Sequence, residues 1–236
     1  MLEFLRNKKI LVVVAHPDDE LLGQGGTMNK LIGEYGCTIG AVILGEGITS
    51  RSEVRDVEKW NKELELHRAN IEAAKNCIGY QFVNTYNFPD NRFDNVDLLD
   101  IVKVVEKEKS SFEPEIIFTH HNGDVNIDHQ KVHEAVLTAT RPLQGEKVRA
   151  VITFETPSST EWQFSNSPFS FRPNLFVEIS EKNLQAKIDG MESYVFEKRP
   201  FPHPRSSEAL AIYAQRWGVT IGCKYAEAFS ICRLLA

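Results

Sequence analysis

Long apolar runs are missing from this sequence. The run nearest the N-terminus, Ile10 to Ala15, is only six residues and acids follow it at once. A membrane-spanning helix needs roughly 20 apolar residues, and a secretory leader needs a longer apolar centre than this. A soluble, cytoplasmic protein is therefore expected. A basic excess is missing too, because 27 Lys and Arg face 33 Asp and Glu, a net charge of −6. Such a surface repels a phosphate backbone, so a nucleic-acid partner is not expected. Cysteine is sparse: Cys37, Cys77, Cys223 and Cys232 form no CxxC pair. That removes the usual frame of a structural zinc site and leaves four reduced thiols, some buried as small hydrophobes. Neither a GxSxG nor a P-loop pattern occurs. With no low-complexity linker and no internal repeat, residues 1–236 read as a single domain.

Alternating strand and helix signals fill this domain. KILVVVA (9–15) is continuous, β-branched and apolar, the mark of a strand buried on both faces. Helical spacing follows over 19–35, interrupted by Gly25-Gly26, then a strand over 38–44 and a charged amphipathic helix over 54–77. Residues 80–95 read as a strand and a turn-rich loop, and 97–109 as a helix. A strand over 115–121, a helix over 127–141 and a strand over 149–155 come next. A strand over 174–180 and helices near 181–193 and 206–217 complete the pattern. Strand–helix alternation through residue 155 predicts an α/β fold with a largely parallel, Rossmann-like sheet and helices on both faces. The loop-rich segment 156–173 is expected to cover a site. Within it, Trp162, Phe164, Phe169 and Phe171 are candidates for a lid, a sugar platform or an interface between copies in a homo-oligomer.

In open α/β sheets, ligands sit beyond the carboxyl ends of the strands. Two such ends here carry ionisable groups: His16-Pro17-Asp18-Asp19-Glu20, and the stretch from Thr119 to His129 with His133 one turn on. Five of the seven histidines lie in these two stretches. Catalytic zinc takes three His, Asp or Glu ligands and keeps one position open for water. His16 with Asp18 or Asp19 can supply one or two of them, and His129 or a neighbour the third. A second carboxylate then serves as general base. The competing readings are an ordinary turn at HPDDE with an aspartate capping the next helix, and a polar loop at HHNGDVNIDH. Two further motifs fail. Asp124-x-Asn126-x-Asp128 begins like a calcium loop, but His129 stands where glycine is required and Ala135 where glutamate is. Gly23-x-Gly25 lacks the third glycine of a dinucleotide turn; Gly23 to Gly26 is expected to let backbones pack closely beside the site.

The sequence AHPDDE (15–20), with the later Asp128-His129, resembles the LmbE-like (PIG-L) zinc-dependent de-N-acetylases, and the resemblance runs nearly end to end. FPDN (88–91), SSTEW (158–162), FRPN (171–174) and PHPRS (202–206) are similar to the branch that modifies bacterial sugars and surface polysaccharides. The resemblance implies His16, Asp19 and His129 as ligands of Zn2+ or another divalent metal, Asp18 as general base, and Asp128 as the residue that orients a histidine. Family members often carry histidine at the position of Asn126, where it stabilises the oxyanion. Here Asn126 takes that place, or another histidine does, with His203, His121 and His133 as candidates; His120 reads as a buried strand-end residue. Substrate contacts implied by the family fall on one of Arg51, Arg55 and Arg68, on Asp90 for a sugar hydroxyl, and on Arg205 for a phosphate or sugar oxygen. The implied activity is hydrolysis of an N-acetylated amino sugar, of N-acetylglucosamine type and free or carried by a nucleotide or lipid. A non-catalytic metal-dependent sugar-binding protein, or the same chemistry on another small amide, is the alternative.

Overall fold

The computed structural model describes residues 2–163 and 166–235; Phe164 of the aromatic group lies outside them. A short helix α1 (Leu2–Leu5) leads into β1 (Lys9–Val14). There follow α2 (Asp19–Leu22), α3 (Gly25–Tyr35), β2 (Thr38–Gly45), α4 (Asn61–Ile78), β3 (Phe82–Phe88), α5 (Leu98–Phe112), β4 (Ile116–His120), α6 (Ile127–Ala139) and β5 (Ala150–Phe154). The chain continues through β6 (Leu175–Glu178), α7 (Glu181–Ser193), α8 (Ser207–Ile221) and β7 (Ala226–Leu234).

The strands form one seven-stranded sheet in the order β3-β2-β1-β4-β5-β7-β6. Neighbours from β3 through β5 pair in parallel, and β7 runs antiparallel between β5 and β6. The α/β fold with a largely parallel sheet and helices on both faces is as the alternation of elements predicts. β1 shows why its sequence is apolar throughout. Ile10, Val12 and Val14 enter the core under α3, α4 and α7, while Leu11, Val13 and Ala15 enter the core under α5 and α6. All six are fully buried, and each such side chain contributes about 1.5–3 kcal/mol, less for the alanine.

Three elements depart from the sequence pattern. The helix expected over 19–35 is two helices, broken at Gly23-Gln24. The Gly23 backbone passes so close to β5 that a Cβ there would stand 2.1 Å from the Glu155 carbonyl oxygen, which is the close packing expected of this glycine cluster. The helix expected from residue 54 begins at Asn61. Before it, Arg55 pairs with Glu46 through two hydrogen bonds of 2.7 Å, and Trp60 Nε1 donates to Ser52 Oγ, so the segment is tied down as a loop. Finally, β7 completes the sheet where no strand is expected. Its Glu227 accepts from the backbone N–H groups of Gly26 and Thr27 at 3.1 and 2.6 Å, capping α3 from across the sheet.

Candidate active site

The carboxyl ends of β1 through β5 deliver their following residues to one edge of the sheet, and adjacency of β1 and β4 brings the two histidine-bearing stretches together. The chain turns sharply after β1. Asp18 sits at φ 97°, ψ −27°, in the left-handed region that costs a non-glycine residue roughly 1–3 kcal/mol. Its N–H donates to Glu20 Oε2 at 2.9 Å and its carbonyl accepts from Leu21 and Leu22, which holds the turn. Asp18 therefore occupies the N-cap of α2, yet its carboxylate makes no cap bond, so the helix-cap reading of HPDDE does not hold.

Three imidazoles surround Asp19. Its Oδ2 lies 3.3 Å from His16 Nδ1, 3.2 Å from His129 Nε2 and 3.4 Å from His120 Nε2. Their second nitrogens tell them apart. His16 Nε2 faces Asp128 Oδ2 at 2.9 Å and Asp90 Oδ1 at 3.4 Å, so the proton belongs on Nε2 and Nδ1 is left as a lone pair. His129 Nδ1 faces Asp124 Oδ1 at 3.2 Å, although not in line for a hydrogen bond, and its Nε2 faces Asp19. His120 is the reverse case: its Nε2 accepts the Ala15 N–H at 3.0 Å and its Nδ1 donates to Thr156 Oγ1 at 3.0 Å. His120 is therefore already fully engaged, and it stacks flat on His129 with ring centroids 3.8 Å apart. Burial and the neighbouring His129 push its pKa well down, as its neutral bonding pattern requires.

The carboxylates diverge as well. Burial opposes the charge of Asp19, but His129 and its neighbours hold it well below the usual range. Burial pushes Asp18 well above that range; Arg205 acts against it, while Asp19, Glu197 and Glu20 add to it. Burial also opposes protonation of His129, yet Asp19 and Asp124 outweigh it and push the pKa up to about 9. Asp19 Oδ1 and both Asp18 oxygens lack an in-line hydrogen-bond partner among the described residues, although Arg205 Nη1 pairs with Asp18 Oδ2 at 3.0 Å. One donor atom each of His16, Asp19 and His129 lies within 4.8 Å of the others. Two imidazoles, each able to give up a proton to a cation, and a carboxylate with an unused buried oxygen fit a divalent cation of the zinc type.

Asp124 is the site residue that the sequence reading did not assign. It faces His129 and accepts from the Asn126 N–H at 2.8 Å, from Thr160 Oγ1 at 2.6 Å and from Ser159 Oγ. The segment after β5 thus backs the site from behind. Asp128 orients His16, and its other oxygen accepts the Phe93 N–H at 2.8 Å. Asn126 caps α6: its Oδ1 accepts the Asp128 N–H at 2.9 Å, and its Nδ2 donates to Asn91 Oδ1 at 2.9 Å.

A polar cavity of about 100 Å³ opens over Asp18. His16, Asp90, Asn126, Arg51 and Arg205 line it, together with Ser50, Asn91 and Glu197. Asp90 Oδ2 accepts from Ser50 N and Ser50 Oγ at 3.1 and 2.6 Å and so shapes the loop after β2. Arg68 lines a neighbouring groove of about 230 Å³ with Arg55 and Tyr86 rather than this cavity. The three alternative histidines do not line it either. His121 Nε2 contacts the Phe169 carbonyl at 2.7 Å, His133 Nδ1 donates to the His120 carbonyl at 3.0 Å, and His203 Nδ1 accepts the Arg205 N–H at 3.1 Å.

Residues 11–140, which contain His16, Asp18, Asp19, Asp128 and His129, match the family model described as PIG-L, GlcNAc-PI de-N-acetylase. The chain is 27% identical over 194 residues to the uncharacterized deacetylase YaiS of Escherichia coli (strain K12), spanning 80% of this chain and 91% of that one. Among solved structures, N,N'-diacetylchitobiose deacetylase from Pyrococcus horikoshii superposes with a TM-score of 0.72 at 20% identity, over 98% of this chain and 88% of that one. GalB, the 4-carboxy-2-hydroxymuconate hydratase from Pseudomonas putida KT2440, superposes with a TM-score of 0.73 at 20% identity, over 97% and 98%. At these identities the two likenesses show a shared fold.

Proposed function

The chain belongs to the PIG-L family, and from that premise we propose that it is a metal-dependent hydrolase that removes the acetyl group from an N-acetylated amino sugar. The observation that carries this reading is Asp18. It is a buried carboxyl group beside the candidate His16/Asp19/His129 set, held in a left-handed turn; it pairs with Arg205, makes no cap bond and lies outside that candidate set. A binding protein needs only the ligand set.

His16, Asp19 and His129 would hold the cation, with zinc best suited to two imidazoles and a carboxylate. Bound there, it supplies a Lewis acid that polarises the acyl carbonyl and lowers the pKa of a water. Asp18 takes the proton of the attacking water and delivers it to the amine nitrogen as the C–N bond breaks. Water thereby adds hydroxyl to the acyl carbon and hydrogen to the nitrogen, giving acetate and the free amine. Asp124 and Asp128 hold the two imidazoles with their protons outward. Asn126 carries two N–H donors, one of which is spent on Asn91; the second serves the developing oxyanion. Asp90 and Asn91 are placed for sugar hydroxyls. No described helix is long and apolar enough to cross a membrane, and a cytoplasmic enzyme acting on a small sugar conjugate completes the proposal. The test is acetate release from N-acetylglucosamine derivatives. The expected result is release that a chelator abolishes and zinc restores; no release with any divalent cation contradicts the reading.

A further inference from the structure

Two arginines line the cavity, and both are tied to the same carboxylate. Arg51 Nη2 donates to Glu197 Oε1 at 2.7 Å and to the Phe196 carbonyl at 2.9 Å. Arg205 Nη1 donates to Glu197 Oε2 at 2.9 Å and pairs with Asp18, while its Nε donates to Ser158 Oγ at 2.8 Å. One carboxylate therefore bridges both guanidinium groups with an oxygen to each, and its side chain is only 11% exposed.

We propose that Glu197 is a specificity residue: by occupying Arg51 and Arg205 it reserves the cavity for an uncharged N-acetylated sugar and excludes a sugar phosphate. The inference deepens the hydrolase reading above and rests on it. A phosphate entering the cavity is drawn to the arginine pair, because guanidinium matches phosphate oxygens two at a time. To take the N–H groups between the two arginines it must displace Glu197, which holds Arg51 Nη2 and Arg205 Nη1. It then sits beside three lining carboxylates, those of Asp18, Asp90 and Glu197, with two lining guanidiniums to offset them. Repulsion between like charges is strong in a water-poor cleft. Beside His16 and the buried His67, the wall also offers the Ser50 hydroxyl and the Asn91 and Asn126 amides, which are neutral. These donate and accept in the manner that sugar hydroxyls require.

The experiment measures Kd by calorimetry for N-acetylglucosamine and for N-acetylglucosamine 1-phosphate on the zinc-loaded protein. The wild type is expected to bind the neutral sugar at least tenfold tighter. Glu197→Gln is expected to move the ratio of the two Kd values at least tenfold toward the phosphate, and adding Arg51→Gln is expected to cancel that gain. The cation's own pull on the phosphate is common to all three proteins and cancels in the ratio. A purely structural ion pair would not produce tighter phosphate binding when broken. A wild type that prefers the phosphate overturns the inference, as does a ratio unchanged in Glu197→Gln. If Glu197→Gln fails to fold, the wild-type preference still decides. Acetate release is measured in parallel. The expected Kd ratios without any release uphold the role of Glu197 and remove the hydrolase reading, whereas release with an unchanged ratio does the opposite.

Discussion

His16, His120 and His129 all approach one oxygen of Asp19, and their roles divide according to where each ring keeps its proton. Asp128 bonds the outer nitrogen of His16 and Asp124 lies beside that of His129, while the Ala15 N–H occupies the inward nitrogen of His120. Orienting carboxylates of this kind are worth about 10–100-fold in metal affinity. Asp124→Asn is therefore expected to weaken zinc binding by that factor in a competition titration with a chromophoric chelator; unchanged affinity would remove Asp124 from the site. A fourth imidazole, His67, behaves differently. It is buried beneath the loop after β2, beside the rings of Tyr194 and Phe196, and neither ring nitrogen has a hydrogen-bond partner among the described residues. Burial lowers its pKa to about 4; Arg51 acts in the same direction, and Glu197 and Asp90 act against it. The unfolded chain takes up this proton near pH 6.5 and the folded chain only near 4. The stabilising contribution is thus complete above 6.5 and is lost as the pH falls toward 4. The interval is worth about 3 kcal/mol. In urea titrations between pH 7 and pH 4, the wild type is expected to lose about that much more stability than His67→Phe. Parallel pH profiles for the two proteins would contradict this.

At the scale of the element, α3 shows how a helix can depend on a distant strand. Its N-cap residue, Gln24, makes no side-chain cap bond; Glu227 of β7 satisfies the first-turn N–H groups and pairs with Lys187 at 2.8 Å, both partners 3% exposed. Removing one member of a buried pair costs about 3–5 kcal/mol. Glu227→Ala is expected to lose that much in urea unfolding, and a loss below about 1 kcal/mol would show that the pair is not what holds α3. This dependence also explains what was legible in the sequence. β1, β2, β4 and β5 could be read because each is a short apolar run closed by polar punctuation, and β3 and β6 by their aromatic and β-branched residues. β7 could not, since AEAFSICRL carries Glu227 in a buried position that becomes intelligible only once α3 and Lys187 are beside it. His16, Asp18 and Asp19 stood out as a local cluster. Asp124 did not, because its partners Ser159 and Thr160 come from the segment after β5, and contacts across the sheet edge leave no spacing signal.

At the scale of the whole molecule, the parallel sheet brings five strand ends to one edge, and the site is assembled from segments that are far apart in the chain. A fold shared with both a deacetylase and a hydratase does not by itself select a reaction. The selection falls to the side chains at that edge, and to Asp18 above all, the carboxylate left over when the ligands are assigned. Asparagine tolerates the left-handed backbone that Asp18 adopts, so Asp18→Asn removes the proposed base with little disturbance of the turn. The decisive measurement is acetate release by Asp18→Asn with bound zinc quantified in the same sample. Zinc is expected to remain stoichiometric while the rate falls by about a hundredfold to ten-thousandfold. Full activity with zinc in place would contradict the account.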